Sequence, residues 1–94
     1  LNLKIVDLND LKKLFIIRGL PGLRIEKFIK NGRVYGAVKC YPALIEGEVN
    51  GAIVIPERTH YGLDVVELVA PENLRKRFNL KNGDKVSVEV KVDI

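Results

Sequence analysis

GAIVIPERTHYGLDVVELVAPENLRKRF, residues 51–78, decides how this chain folds. Residues 52–55 and 65–70 are short apolar runs rich in Val and Ile and bounded by Gly or Pro, the composition of strands rather than helices. Pro56 ends the first run, and residues 57–62 form a polar loop. Pro71 ends the second run and suits the first turn of a short basic helix, where its missing N–H costs nothing; Leu74 and Phe78 then lie one helical turn apart. Within the second run, the two-residue period of a strand puts Val65, Glu67 and Val69 on one face. Flanked by Val66 and Leu68, Glu67 reads as a buried acid facing the loop that carries Thr59 and His60. A buried carboxylate is costly unless paired, so Glu67 is either a salt-bridged structural acid or a group that contacts a ligand. One loop and one helix start therefore lie side by side.

Toward the N-terminus, residues 47–51 turn the chain into this segment. Residues 33–45 read as a long strand interrupted at Gly36 and Pro42, with a bend near Tyr41, because proline within a sheet belongs at an edge or a bulge. Asn31-Gly32 is the strongest hairpin signal, since both residues tolerate the positive φ of a type I′ turn, and residues 23–29 alternate as its partner strand. Gly19, Pro21 and Gly22 require a loop. Before it, residues 7–10 offer caps for a short helix with Leu11, Leu14 and Phe15 on one face. Residues 1–6 alternate as a half-buried strand. At the C-terminal end, residues 81–84 make a turn, and residues 85–92 alternate strictly, directing Val86, Val88, Val90 and Val92 toward a core. With no internal repeat or linker, short strands at regular spacing and two small helices predict a mostly β fold, a small β-barrel forming a single domain over residues 1–94.

At 94 residues, 47% hydrophobic and 30% charged, the chain is large enough for one core, and no apolar run is long enough to span a bilayer, which predicts a soluble cytoplasmic protein. The single Cys40 has no disulfide partner and sits in a strand-like run, where an inert buried thiol is expected. Abundant Lys, Arg, Glu and Ile fit a thermophile's usage. The net charge of +4 attracts anions, but both signs alternate through most segments, which argues for a mixed solvated surface over a dedicated nucleic-acid face. His60 is the only histidine and builds neither a triad nor a metal site unaided; as a loop residue it, or Tyr61, is placed to stack on a ring system.

The order of motifs adds more. Residues 51–56 (GAIVIP), Thr59, Glu67 inside an apolar strand, residues 70–75 (APENLR) and residues 78–84 (FNLKNGD) together resemble the archaeal CTP-dependent riboflavin kinases, and the opening Leu1-Asn2-Leu3 is similar to the end of that family's T-L-N-L motif. The resemblance implies a six-stranded cradle-loop barrel that transfers the γ-phosphate of CTP to the 5′-hydroxyl of riboflavin, giving FMN and CDP. It implies Mg²⁺ held by the Asn of T-L-N, here Asn2, with the Thr of that motif absent. Thr59 and Glu67 would contact the ribityl end of the flavin, and Glu67 is a candidate base for the 5′-hydroxyl, the alternative being a ligand contact alone. Glu72, Asn73, Leu74 and Arg75 would contact the nucleotide, and a monomer without membrane or nucleic-acid partners is expected.

The family's glycine-rich phosphate loop precedes T-L-N and has no counterpart here, Gly19-Leu20-Pro21-Gly22 being misplaced and too poor in glycine. The chain is thus expected to be an N-terminally incomplete fragment, inactive alone. Two alternatives remain. A basic helix followed by L-x-x-G-D-x-V-x-V also occurs in AbrB-like swapped-hairpin DNA-binding barrels, and an inactive barrel fragment would show neither activity.

Overall fold

The computed structural model describes residues 1–57 and 64–92. Two eight-residue strands, β5 (Val38–Ile45) and β6 (Val49–Pro56), pair antiparallel from Val38 opposite Pro56 to Ile45 opposite Val49. Their turn is tight because Glu46 and Gly47 adopt φ of 53° and 68°, the left-handed region that reverses a chain in few residues. β7 (Val65–Val69) lies against the other side of β6, and β1 (Asn2–Lys4) against β7. Beyond β5 lie two short strands end to end: β2 (Leu23–Ile25) pairs with residues 38–40, and β8 (Val88–Val90) with residues 43–45. The result is a curled, wholly antiparallel six-stranded half-barrel. Among the described residues β1 and β8 do not pair, so the sheet is open between them.

Pro42 does not interrupt β5, which runs unbroken from Val38 to Ile45. Its carbonyl accepts from the Lys91 N–H at 2.8 Å, so its missing N–H points to the same side, at the seam where β2 has ended and β8 begins. The ladder to β6 continues unbroken through Pro42 opposite Ala52. A proline is tolerated here because the side it weakens is already a gap between strands.

Helix α1 (Leu8–Arg18) begins at Asp7, whose carboxylate accepts from the Asp10 N–H at 3.1 Å, and ends at Gly19, as the capping residues predict. Leu14 is buried against the sheet, whereas Phe15 is 76% exposed. The expectation that Phe15 shares the buried face is corrected: Leu14 and Ile17 are the residues of α1 that pack on the core, and Phe15 lies one position around the helix from Leu14. The Tyr41 hydroxyl ties the helix to the wall, lying 2.8 Å from the Ile17 carbonyl and 2.7 Å from that of Leu20. Together with Ile45, Val49, Ile53, Ile55, Val66, Leu68 and Leu74, Tyr41 and Leu14 form the core, and Val86, Val88, Val90 and Val92 pack against it half-buried.

Residues 23–29 are not one strand. β2 ends at Ile25, and β3 (Phe28–Lys30) forms a separate hairpin with β4 (Arg33–Tyr35) around Asn31 and Gly32, at φ of 52° and 73°. The type I′ signal was correct, but the hairpin forms its own two-stranded sheet. Helix α2 (Leu74–Arg77) starts three residues later than Pro71 suggests: its cap is Asn73, and Pro71 lies before the cap.

Candidate functional site

β1 is an edge strand, and its bonding pattern fixes where its side chains go. The Leu1 amino nitrogen donates to the Leu68 carbonyl at 3.0 Å, the Leu68 N–H donates to the Leu1 carbonyl at 2.8 Å, and the Ile5 N–H donates to the Asp64 carbonyl at 2.7 Å. Odd-numbered residues of β1 therefore bond to β7. Asn2 opposite Glu67 and Lys4 opposite Val65 are the non-hydrogen-bonded pairs, whose side chains approach most closely in an antiparallel ladder. Asn2 and Glu67 thus stand side by side on the outer face.

Glu67 is exposed, which corrects the reading of a buried acid. Val66 and Leu68, at 1% and 2% exposure, take the core side, and the period of two sends the residue between them outward. Apolar neighbours in sequence are not neighbours in space along a strand. Glu67 was grouped correctly with Val65 and Val69; the error was in choosing which face meets the core.

The second wall of the site is α2. Buried Leu74 anchors it, and the Asn73 side chain accepts from the Lys76 N–H at 3.1 Å, so one of the helix's free donors is already satisfied. Arg75 is exposed and donates to the Asn82 side-chain oxygen at 3.3 Å. Leu1, Asn2, Glu67, Asn73, Leu74 and Arg75 together line an open depression of about 550 Å³. Five residues singled out in sequence, namely Asn2, Glu67, Asn73, Leu74 and Arg75, are therefore brought to one place from three separate elements. Glu72 is not among the lining residues; its carboxylate pairs with Arg77 at 3.3 Å, and Arg77 also reaches Glu48 at 3.3 Å. Thr59, with His60 and Tyr61, lies outside the described residues.

The residues fit a hard cation only in part. Among the described residues no group of three or more His, Cys, Asp or Glu side chains comes together. Asn2 and Glu67 offer two adjacent oxygen donors, a set that suits Mg²⁺, which keeps several waters and takes other ligands from phosphates, better than a cation needing a full protein cage. Cys40 is half-buried on β5, away from this depression, and burial pushes its thiol pKa up, as suits an unreactive side chain.

The period that sets Asn2 outward sets Lys4 outward beside it, a signal present in residues 1–4 alone. A second depression, of about 720 Å³, runs along the same edge, with Asn2, Lys4, Arg75, Lys81 and Lys85 in its lining. No described helix is long and apolar enough to cross a membrane.

A curled antiparallel half-barrel with a polar depression between its edge strand and a capped helix defines a small β-barrel protein with a site at the rim. Within that class the chain belongs to the CTP-dependent riboflavin kinase family, also described as domain of unknown function DUF120, which matches residues 1–90. It is 53% identical over 72 residues to a riboflavin kinase of Pyrobaculum aerophilum, covering 77% of this chain and 34% of that one. A riboflavin kinase of Methanosarcina barkeri is 45% identical over 71 residues, covering 76% of this chain and 31% of the relative. One from Saccharolobus solfataricus is 40% identical over 92 residues, covering 98% and 53%. The chain thus spans between about a third and about half of the length of these relatives.

Proposed function

We propose that this chain carries the flavin and nucleotide contacts of a riboflavin kinase that moves the γ-phosphoryl group of CTP to the riboflavin 5′-hydroxyl, yielding FMN and CDP. Phosphoryl transfer asks a protein to align donor and acceptor and to neutralise charge on the transferred group. The observation that carries the reading is the pairing of Asn2 with Glu67 at the same depression as Asn73, Leu74 and Arg75. Glu67 accepts a hydrogen bond from the 5′-hydroxyl and takes its proton as the oxygen attacks the γ-phosphorus and CDP departs. Thr59 holds the ribityl end of the flavin. Asn73 and Arg75 face the nucleotide, the guanidinium giving charge-assisted hydrogen bonds. Asn2, with Glu67 beside it, is the protein's contribution to a Mg²⁺ site, and the ion when bound neutralises phosphate charge. The exposure of Glu67 supports this role over that of a buried structural acid, since an outward carboxylate is free to meet a ligand.

Glu72 enters this reading as a support: its ion pair with Arg77 braces the segment before α2. Because the relatives are longer, turnover is assigned to the full-length enzyme, and binding is the property to measure on this chain.

Titration of riboflavin with the 94-residue chain, with and without CDP and Mg²⁺, tests the reading through flavin fluorescence. Quenching that is lost in Glu67→Ala is the expected result, and in a full-length relative the matching Glu→Gln change lowers kcat by about 10²-fold or more. Absence of quenching together with DNA binding that collapses as salt rises would instead select a nucleic-acid module. Absence of both would leave a barrel fragment without ligand.

A further inference from the structure

We propose that Asn82 is a positioning residue for nucleotide binding: its side-chain oxygen fixes the Arg75 guanidinium at the depression between β1 and α2. The proposal rests on the kinase reading for the identity of the ligand. It gives a task to residues 78–84 (FNLKNGD), which make none of the contacts in that reading.

α2 is only four residues long, so the direction of Arg75 is set less by the helix than by the chain that follows it. That chain leaves α2 in a closed C-terminal turn. The Asn79 N–H donates to the Lys76 carbonyl at 3.3 Å and the Leu80 N–H to the Arg75 carbonyl at 2.9 Å, with Asn79 in the left-handed region at φ of 50°. The next turn is locked in its own right. The Asp84 carboxylate accepts from the Lys81 N–H at 2.8 Å, the Asp84 N–H donates to the Lys81 carbonyl at 3.0 Å, and Gly83 supplies a φ of 92°. Asn82 sits inside this second turn, which joins directly to the first. Its backbone is therefore tied to that of Arg75 by a short, fully bonded path.

A guanidinium carries only donors, so Arg75 meets Asn82 through the amide oxygen, which lies 3.3 Å from Nη1. Among the described residues no carboxylate pairs with Arg75. A neutral acceptor restrains the group without cancelling its charge, and the remaining N–H donors stay available to an anion. A long, rotamer-rich side chain that is already restrained loses less freedom when ligand arrives, so the bond to Asn82 raises affinity without touching the nucleotide.

Asn82 is not among the positive-φ residues, so its substitution strains no backbone. The bond is also exposed, so its loss costs little stability, and a change in binding without a change in thermal midpoint separates positioning from a structural role. Two measurements on the 94-residue chain test the proposal. The first needs no ligand: NMR relaxation of the Arg75 Nε–H group. This group is ordered in wild type, freed in Asn82→Ala, and ordered again in Asn82→Asp, which keeps an acceptor. The second is calorimetric titration with CDP and Mg²⁺. Arg75→Ala loses about tenfold or more in affinity and Asn82→Ala about threefold to tenfold, while adding Asn82→Ala to Arg75→Ala lowers it no further. The proposal is overturned if Arg75 is as ordered in Asn82→Ala as in wild type, if the two losses add in the double variant, or if Arg75→Ala weakens CDP binding and Asn82→Ala does not. In each of those cases the kinase reading stands. That reading fails differently: wild type that binds no CDP, or Arg75→Ala that binds it as wild type does, removes the nucleotide contact itself and the task of Asn82 with it.

Discussion

The wall made by β5, β6 and β7 and the rim made by β1 and α2 use the same strand alternation for opposite ends. On the wall it drives side chains together: Tyr41, Ile45, Ile53, Ile55, Val66 and Leu68 are all buried. At the rim the same period turns Asn2, Lys4 and Glu67 outward, where each costs almost nothing to stability and is available to a ligand. β7 belongs to both regions. Its even-numbered residues hold the fold and Glu67 carries the chemistry, so a single strand separates stability from function by one residue.

That division can be broken most forcefully from the wall side. Leu68→Ala removes a fully buried side chain adjacent in sequence to Glu67 and is expected to cost about 2–5 kcal/mol in denaturant unfolding, with loss of binding only through loss of fold. Tyr41→Phe is milder, about 1–2 kcal/mol, because it keeps the ring and removes only the hydroxyl that joins the wall to the Ile17 and Leu20 carbonyls. It also has a pH signature. Burial raises the Tyr41 pKa above its ordinary value of 10.0, with nearby Arg18 opposing the rise, so the folded state favours the neutral phenol. The stability this contributes is complete below pH 10.0 and declines as pH climbs through the raised folded value. Alkaline unfolding curves should therefore be less steep for Tyr41→Phe than for wild type. The smallest effect belongs to the rim: Asn73→Ala deletes the α2 cap and is expected to cost about 1 kcal/mol in thermal unfolding while leaving the wall intact. A larger cost there would mean that rim and wall are less separable than their burial suggests.

Much of the wall was legible in residues 51–78, because strand composition, Pro56 and the turn residues all act locally. The α1 caps and the Asn31-Gly32 hairpin were legible for the same reason. What failed depended on partners remote in sequence. Whether Pro42 interrupts its strand was decided by a gap between β2 and β8, elements drawn from opposite ends of the chain. Which face of β7 meets the core was decided by what packs on it, so Glu67 was recognised as important but assigned to the wrong side. In the candidate site, the five residues that converge were named from motif order, which carries no geometry; their meeting is a property of the β1–β7 register. The ion pair of Glu72 with Arg77 is likewise invisible in a motif.

The β1–β7 pairing also bears on the order in which the molecule assembles. The β5–β6 hairpin closes across a three-residue turn, a contact a chain finds early, whereas Leu1 meets Leu68 across a separation of 67 positions. Closing so long a loop is entropically slow, and it is compensated only when most of the wall already exists. The juxtaposition of Asn2 and Glu67 is accordingly among the last events of folding and the first to be undone by local opening. Ligand that spans the two strands would latch that final step, so that occupancy of the rim and completion of the fold become a single equilibrium.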